Sequence, residues 1–421
     1  MRVLWITNSV MPEIAQTLGW SRFGSGGWMS AMLSQLRQIP DVSIIVATIS
    51  KKSQRLITRN INGVGYWILP AKTPIWKYDS ELEKYWITLK ETFSPDIIHI
   101  HGTEFSHGLA YIKACGAENV IISLQGLIGE IGKVYSAGIS KKDVLKTETL
   151  SDKILKKGVR HTQQQYLLRG IYEKECLKSV KYVIGRTDWD RMMVLKVNPQ
   201  LKYYKNNESL GDIFYSSSWD YSKCIPYSIM VSQCALPIKG FHVLLRAMPL
   251  VLAEFPDAHI YVAGGNTVFP TSIRERLLDT GYNVYLRQLI QEYDLKYKIT
   301  FLGALSPNEM CATYLKSNVF VLCSAIENSS NSLAEAQCIG MPTIATSAAG
   351  TPTMTQNGKL SVEYDFEDYK QLAKNIISIF SCQYDVNQFL NTRAIVHARH
   401  DRKKNILELM QIYNEVIRND N

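Results

Sequence analysis

Val319-Phe320-Val321-Leu322-Cys323-Ser324-Ala325-Ile326-Glu327-Asn328-Ser329-Ser330-Asn331-Ser332-Leu333-Ala334-Glu335 is the stretch on which the fold turns. Four consecutive apolar residues read as a strand buried on both faces. A Ser/Asn-rich turn follows, and residues 333–339 then take helical spacing. Strand, turn and helix in that order are half of a β-α-β unit. Outward from it the alternation repeats. In the second half the strands fall at 228–231, 259–263, 298–301, 319–322 and 343–346. In the first half they fall at 3–6, 42–48, 65–68, 97–101, 120–124 and 182–185. Helical patterns separate them, so the chain is α/β with parallel sheets. The pattern restarts near Ser228 after a polar, irregular stretch at 206–227, which reads as an interdomain linker. Two domains also suit 421 residues.

Composition narrows the class. Hydrophobic residues make up 46% and charged residues 20%, as in a globular enzyme. No apolar run reaches the ~18 residues of a spanning helix. The N-terminus runs from Met1 into Met11-Pro12 as a buried strand, not as a signal peptide. Eight cysteines lie scattered without close pairs. They point to no zinc site and no disulfide framework, and the expected compartment is the cytoplasm. The net charge of +9 is concentrated. Residues 141–205 hold 16 Lys/Arg against 7 Asp/Glu, and the rest is about neutral. Such a face meets anionic lipid, a phosphorylated acceptor or nucleic acid, or is a solvated helical surface. Nucleic acid is disfavoured, since no RNA-binding signature or zinc finger accompanies the charge.

In open parallel sheets ligands bind beyond the carboxyl ends of the strands. Gly24-Ser25-Gly26-Gly27-Trp28 precedes a helical run and lets backbone approach a phosphate. It lies about 20 residues past the first strand, so it is no dinucleotide fingerprint. The 97–101 strand ends in His101-Gly102-Thr103-Glu104, and the next in Gln125-Gly126. Arg186 closes another strand and can contact a phosphate or carboxylate. Asp188 and Asp190 form a D-x-D at a helix start, where capping is the favoured reading over metal binding. Ser232-Gln233 ends the first strand of the second half, and Lys239-Gly240-Phe241 opens the next helix. Lys239 is a mobile cation placed to grip a diphosphate. The loop at Gly303 can hold a base through its backbone. Glu327 and Glu335 bracket Asn328, Ser329, Ser330, Asn331, Ser332 and Leu333, whose amides form a helix N-terminus suited to an anion. A capped helix with a chance glutamate is the plainer alternative. The last segment, 403–417, is an amphipathic helix.

These motifs together resemble the retaining glycosyltransferases of family 4, which have the GT-B fold. Glu327 and Glu335 match the E-x(7)-E pattern. The likeness extends to the Gly26-Gly27 loop, 96–101, 186–191 and 232–242. The 237–242 and 186–191 runs look like a bacterial polysaccharide-biosynthesis branch. The resemblance implies two Rossmann-like domains facing a central cleft. Residues 1–205 would form an acceptor-binding domain and 228–400 a nucleotide-sugar-binding domain, with 401–421 packing back on the first. Gly26 and Gly27 would lie near the donor diphosphate, with Arg186, Gln233 and Gly303 as further donor contacts. His101 would face the reacting sugar and stabilise charge. Lys239 would neutralise the leaving group, Glu327 would bind sugar hydroxyls, and Glu335 would bind the ribose. Trp28, Glu104 and Gln125 would lie on the acceptor side. Many members have Gly-Arg where this chain has Ser232-Gln233, and His-Gly where it has Gln125-Gly126.

The implied reaction moves a hexose from a nucleotide sugar, UDP before GDP, to a saccharide or lipid-linked acceptor. The nucleotide sugar is a substrate, and no cofactor or metal is expected. A nucleotide-sugar epimerase, a phosphorylase on the same fold and a non-catalytic membrane-bound scaffold remain as alternatives. The basic 141–205 region would suit peripheral contact with an anionic membrane.

Overall fold

The computed structural model describes residues 1–20, 27–72, 74–265, 268–381 and 386–420; for 27, 28, 386 and 387 it describes backbone only. The chain forms two compact units, each around its own sheet. The first comprises 1–130, 166–209 and 400–421, and the second 131–165 and 210–399.

The sheet of the first unit contains β1 (Arg2–Thr7), β2 (Ser43–Ser50), β3 (Ile57–Ile61), β4 (Val64–Pro70), β5 (Ile97–His101), β6 (Val120–Ser123), β7 (Tyr182–Gly185) and β8 (Lys202–Lys205). Their order is β3-β4-β2-β1-β5-β6-β7-β8, parallel except for β3. Side chains alternate across the strands. Leu4 and Ile6 enter one apolar cluster with Trp86, while Val3 and Trp5 enter another beneath Leu409, Tyr413 and Val416. Both faces are therefore covered, which is why β1 and β5 read as apolar runs rather than as alternation. The cover on the second face comes from the C-terminal helix Arg402–Asp420 together with helices Pro12–Thr17 and Gly27–Leu36. Trp5 Nε1 donates to Tyr413 Oη at 3.1 Å, and Asn119 N–H donates to Asp420 Oδ2 at 2.9 Å.

The sheet of the second unit runs β11-β10-β9-β12-β13-β14, all parallel. Its strands are β9 (Ser228–Val231), β10 (His259–Ala263), β11 (Ile299–Gly303), β12 (Val319–Leu322), β13 (Thr343–Thr346) and β14 (Val362–Tyr364). In both sheets the chain order reverses once, between β1 and β5 and between β9 and β12. The carboxyl ends at these reversals carry Asn8, Ser9 and His101 in one unit, and Ser232, Gln233 and Cys323 onward in the other.

Two expected boundaries differ from the structure. Residues 131–165, expected in the first domain, pack with the second unit. Ile139 and Val144 are buried in the same cluster as Leu244 and Tyr285, and Asp152 accepts from the Gly281 N–H at 2.6 Å. The expected linker at 206–227 is not a free tether. Asn206 donates to Asn405 O at 2.9 Å within the first unit. Leu210, Phe214 and Trp219 are buried in the core of the second. Aromatic residues in a polar stretch were anchors rather than loop decoration.

Candidate functional site

In the second unit the site grows from the end of β12. Pro237–Lys239 form one turn of 3-10 helix, and Gly240 follows at φ 67°. A side chain at Gly240 would fall inside the Cys323 carbonyl. Only glycine permits that approach. The contact is reinforced by Ala325 N–H donating to Ile238 O at 2.8 Å. Lys239 is thereby set against the loop after β12, where its Nζ lies 2.9 Å from Glu327 Oε2 and 3.4 Å from Oε1. The two side chains are 25% and 17% exposed, so the pair faces solvent while its stems are held. Glu327 is steadied through its backbone, whose carbonyl accepts from Gly350 N–H at 2.8 Å.

Helix Asn331–Ile339 starts just beyond. Ser330 is its N-cap, accepting from Leu333 N–H at 3.3 Å. The Leu333 amide expected to meet an anion is thus already engaged, and the positive end of the helix is presented by the residues before it. Ser332 Oγ lies 3.0 Å from Ser232 Oγ and 3.1 Å from Ser330 Oγ. This chain of hydroxyls joins the end of β9 to the helix start. Ser329 Oγ packs at 3.3 Å on Met354 Sδ, and Asn328 is buried. Glu335 sits one turn in, partly exposed, with Tyr314 Oη donating to Oε2 at 3.3 Å. Burial pushes its carboxyl up to about 7, against the lowering effect of Tyr314. Gln233 is exposed beside Gly264, and the Gly264 N–H donates to Gly303 O at 2.8 Å. Lys239, Gln233, Gly303 and the 327–335 run therefore belong to one unit and one edge of its sheet.

In the first unit the carboxyl ends of β1, β2 and β5 enclose a cleft of about 760 Å³. His101, Glu104 and Gln125 line it, together with Asn8, Lys51 and Arg169. His101 is 2% exposed, stacked on His99 with ring centroids 3.8 Å apart and edge-on to Trp5 at 4.4 Å. Burial pushes its imidazole down to about 3, so it is neutral at physiological pH and offers a hydrogen bond rather than a cation. Glu104 receives Asn8 Nδ2. Burial, with some help from Glu173, pushes its carboxyl up to about 7, opposed by Arg169.

Arg186 does not present itself to a ligand. It is buried, ion-paired with Glu208, and donates to the Leu124 carbonyl. The expected phosphate contact is corrected to a structural tie, because an arginine inside a unit needs such partners. Asp190 completes a capping box with Thr187 and accepts from Arg186 N–H at 2.9 Å, so the D-x-D is a helix start. Gly26 lies outside the described residues, as does the side chain of Trp28; Gly27 opens helix Gly27–Leu36.

Sequence reasoning missed Arg169 and Glu173. Both lie on helix Val159–Ser179, four residues apart on one face. Arg169 Nε donates to Glu104 O at 2.7 Å. Glu173 accepts from Thr103 Oγ1 at 2.8 Å, Ile128 N–H at 2.8 Å and Gly129 N–H at 3.0 Å. It therefore joins the two loops that carry Glu104 and Gln125. The spacing was readable, but it was submerged in a helix whose charge is mostly solvated.

The architecture is GT-B. Sucrose-phosphate synthase from Thermosynechococcus elongatus superposes with TM-score 0.69 at 15% identity, covering 99% of each chain. HepE from Anabaena, solved with UDP and glucose, superposes with TM-score 0.65 at 14% identity, covering 99% of this chain and 100% of that one. Residues 226–399 match the family described as glycosyl transferases group 1. The putative glycosyltransferase YtcC of Bacillus subtilis (strain 168) is 24% identical over 76% of this chain and 73% of its own length. Spore coat protein SA of the same organism is 29% identical over 34% of this chain, a match spanning 37% of that relative.

Proposed function

We propose that this chain is a metal-independent, retaining glycosyltransferase of the family 4 type, acting in the cytoplasm. It transfers a hexose from a nucleotide sugar, UDP before GDP, to a saccharide or lipid-linked saccharide in surface-polysaccharide synthesis. The observation that carries this reading is the Lys239–Glu327 pair beside the start of the helix that bears Glu335. The glycosyl transferases group 1 match covers the same residues, and HepE, of like fold, was solved with UDP and glucose.

The second unit holds the donor. Ribose hydroxyls donate to the Glu335 carboxylate. The diphosphate draws Lys239 from Glu327 and lies against the positive end of helix Asn331–Ile339. Glu327, released, accepts from sugar hydroxyls. The first unit holds the acceptor among Glu104, Gln125 and Arg169. The bond from the anomeric carbon to the diphosphate oxygen breaks as the acceptor oxygen bonds to the same face. The acceptor proton passes to the departing diphosphate. No side chain forms a covalent intermediate, and the protein contributes positioning and charge stabilisation.

Thermal-shift titration with UDP, GDP and their sugars, in EDTA, tests this on the wild type, Lys239→Ala and Glu335→Ala. A shift for one nucleotide that survives EDTA and disappears in both variants supports the reading. No shift with any nucleotide sinks it. Nucleotide release with and without acceptor then separates transfer from epimerisation.

A further inference from the structure

The C-terminal helix Arg402–Asp420 sends the phenol of Tyr413 into the apolar face it covers, and that phenol ends one ring short of His101. Tyr413 is fully buried. Its Oη lies 3.1 Å from Trp5 Nε1 and 2.5 Å from His99 Nδ1. The other ring nitrogen of His99 lies 2.5 Å from Ser123 Oγ. The helix and strands β1, β5 and β6 thus meet in one polar row inside the first unit. Counting protons gives the row its direction. Trp5 Nε1 can only donate, so Tyr413 Oη accepts from it. The phenol proton is then left to give, and among the described residues His99 Nδ1 is the acceptor within reach. His99 therefore carries its own proton on Nε2 and donates it to Ser123 Oγ. The opposite tautomer would leave the Tyr413 proton unpaired in a fully buried site, which is costly. Burial, with His101 alongside, holds the His99 imidazole well below its ordinary range, so the ring stays neutral and the row keeps this direction.

Held at both nitrogens, the His99 ring can neither flip nor swing. His101 is two residues further along β5 and so projects from the same face of the strand. Its ring stacks on His99 with the planes 28° apart, and it meets the Trp5 ring edge-on. Both rings that confine His101 are therefore bonded to one phenol. A fully satisfied polar row in a core specifies one arrangement of its members. Here it specifies the plane of a histidine that lines the cleft of the first unit.

We propose that Tyr413 is a positioning residue for sugar transfer: through His99 and Trp5 it sets the ring of His101. What His101 meets, the reacting sugar, rests on the sugar-transfer reading. The full chain tests this as wild type, Tyr413→Phe and Val416→Ala. Tyr413→Phe removes one oxygen and keeps the ring. Val416→Ala loosens the same apolar cluster without touching the polar row. Nitrogen-15 spectra of the histidines, taken without nucleotide, read the row directly. The wild type should show His99 protonated on Nε2. In Tyr413→Phe the His99 tautomers should mix and the His101 signals should move, whereas Val416→Ala should leave both in place. The consequence is read as initial rates with the nucleotide sugar that shifts the wild-type melting curve. Tyr413→Phe should lower kcat roughly tenfold and change the donor KM less than about twofold, because a tilted His101 costs rate rather than donor binding. Val416→Ala should melt below the wild type at unchanged kcat. A wild-type His99 protonated on Nδ1 would overturn the proposal. So would a Tyr413→Phe chain with wild-type kcat, or one whose kcat falls no further than that of Val416→Ala. If no nucleotide shifts the wild type, the sugar-transfer reading fails by itself, and the histidine spectra still decide whether Tyr413 holds the His101 ring.

Discussion

Lys239 and Glu335 put the nucleotide reading at risk in different ways. Lys239 is only partly buried, and its pair with Glu327 spans 2.9 Å in a setting where solvent weakens the attraction. Lys239→Ala should therefore leave thermal stability nearly unchanged. It should lower kcat/KM by ~10²–10³-fold, as loss of a cation at a developing charge does. Initial rates and a melting curve on the same preparation check both halves. Glu335 has the opposite profile. Burial raises its carboxyl from an ordinary 4.5 to about 7, so between those values the folded state binds more protons than the unfolded one. Its contribution to stability falls as pH rises through that window and stays lowered above it. Glu335→Gln removes the penalty. The variant should gain about 1 kcal/mol at pH 8, or ~2–4 °C in melting temperature, and nothing near pH 4. The same variant should lose the rise in nucleotide affinity between pH 6 and pH 8 that a carboxylate accepting ribose hydroxyls produces. Melting and binding curves at those pH values decide it; a pH-independent difference would place the proton elsewhere.

The turn at Gly240 links sequence to site at the level of the element. A single-turn 3-10 helix, a left-handed glycine and the Cys323 carbonyl fix where Lys239 leaves the backbone. Gly240→Ala forces the turn off that carbonyl and should cost about 1–3 kcal/mol. It should also weaken nucleotide binding without touching a ligand-facing side chain. Calorimetric titration beside Lys239→Ala distinguishes misplacement of the lysine from its loss. Elements of this kind were legible to different degrees. The apolar runs in β1, β5, β9 and β12 are buried on both faces and stood out. β3 (Ile-Thr-Arg-Asn-Ile) and β8 (Lys-Tyr-Tyr-Lys) are edge strands whose polar side chains meet solvent, so no apolar run marked them. β14 has only three residues. In the candidate site, Lys239, Glu327 and Glu335 were legible because they sit at strand ends and a helix start. Arg186 misled, because its partner Glu208 comes from 22 residues further on, in a stretch that reads as linker. Nor did spacing reveal that Glu173 would bridge the loops after β5 and β6.

The chain passes between its two units at 130/131, 165/166, 209/210 and 399/400. Sequence position and structural membership therefore part company, and that has a measurable consequence. Residues 131–165 come before the first unit's last two strands, yet they share the core of the second through Ile139 and Val144. His242 Nε2 lies 2.9 Å from Ala137 O, and Asp152 holds the start of helix Gly281–Glu292. A nucleotide bound as proposed, at Lys239 and Glu335, would stabilise the second unit by ~2.7 kcal/mol at a hundredfold excess over its dissociation constant. Segments that open with that unit inherit the protection, whereas segments of the other unit do not. Hydrogen exchange with saturating UDP should therefore slow amides in 131–165 together with those in 228–399. Amides of β7 and β8, which follow directly in the chain, should change far less. Asp152→Ala removes the cap shared by two helices at a cost of about 1–3 kcal/mol. It should uncouple 131–165 from the nucleotide while leaving the protection of helix Asn331–Ile339 in place. If 131–165 instead exchanged in step with β7 in both proteins, its packing against the second unit would not govern how it opens.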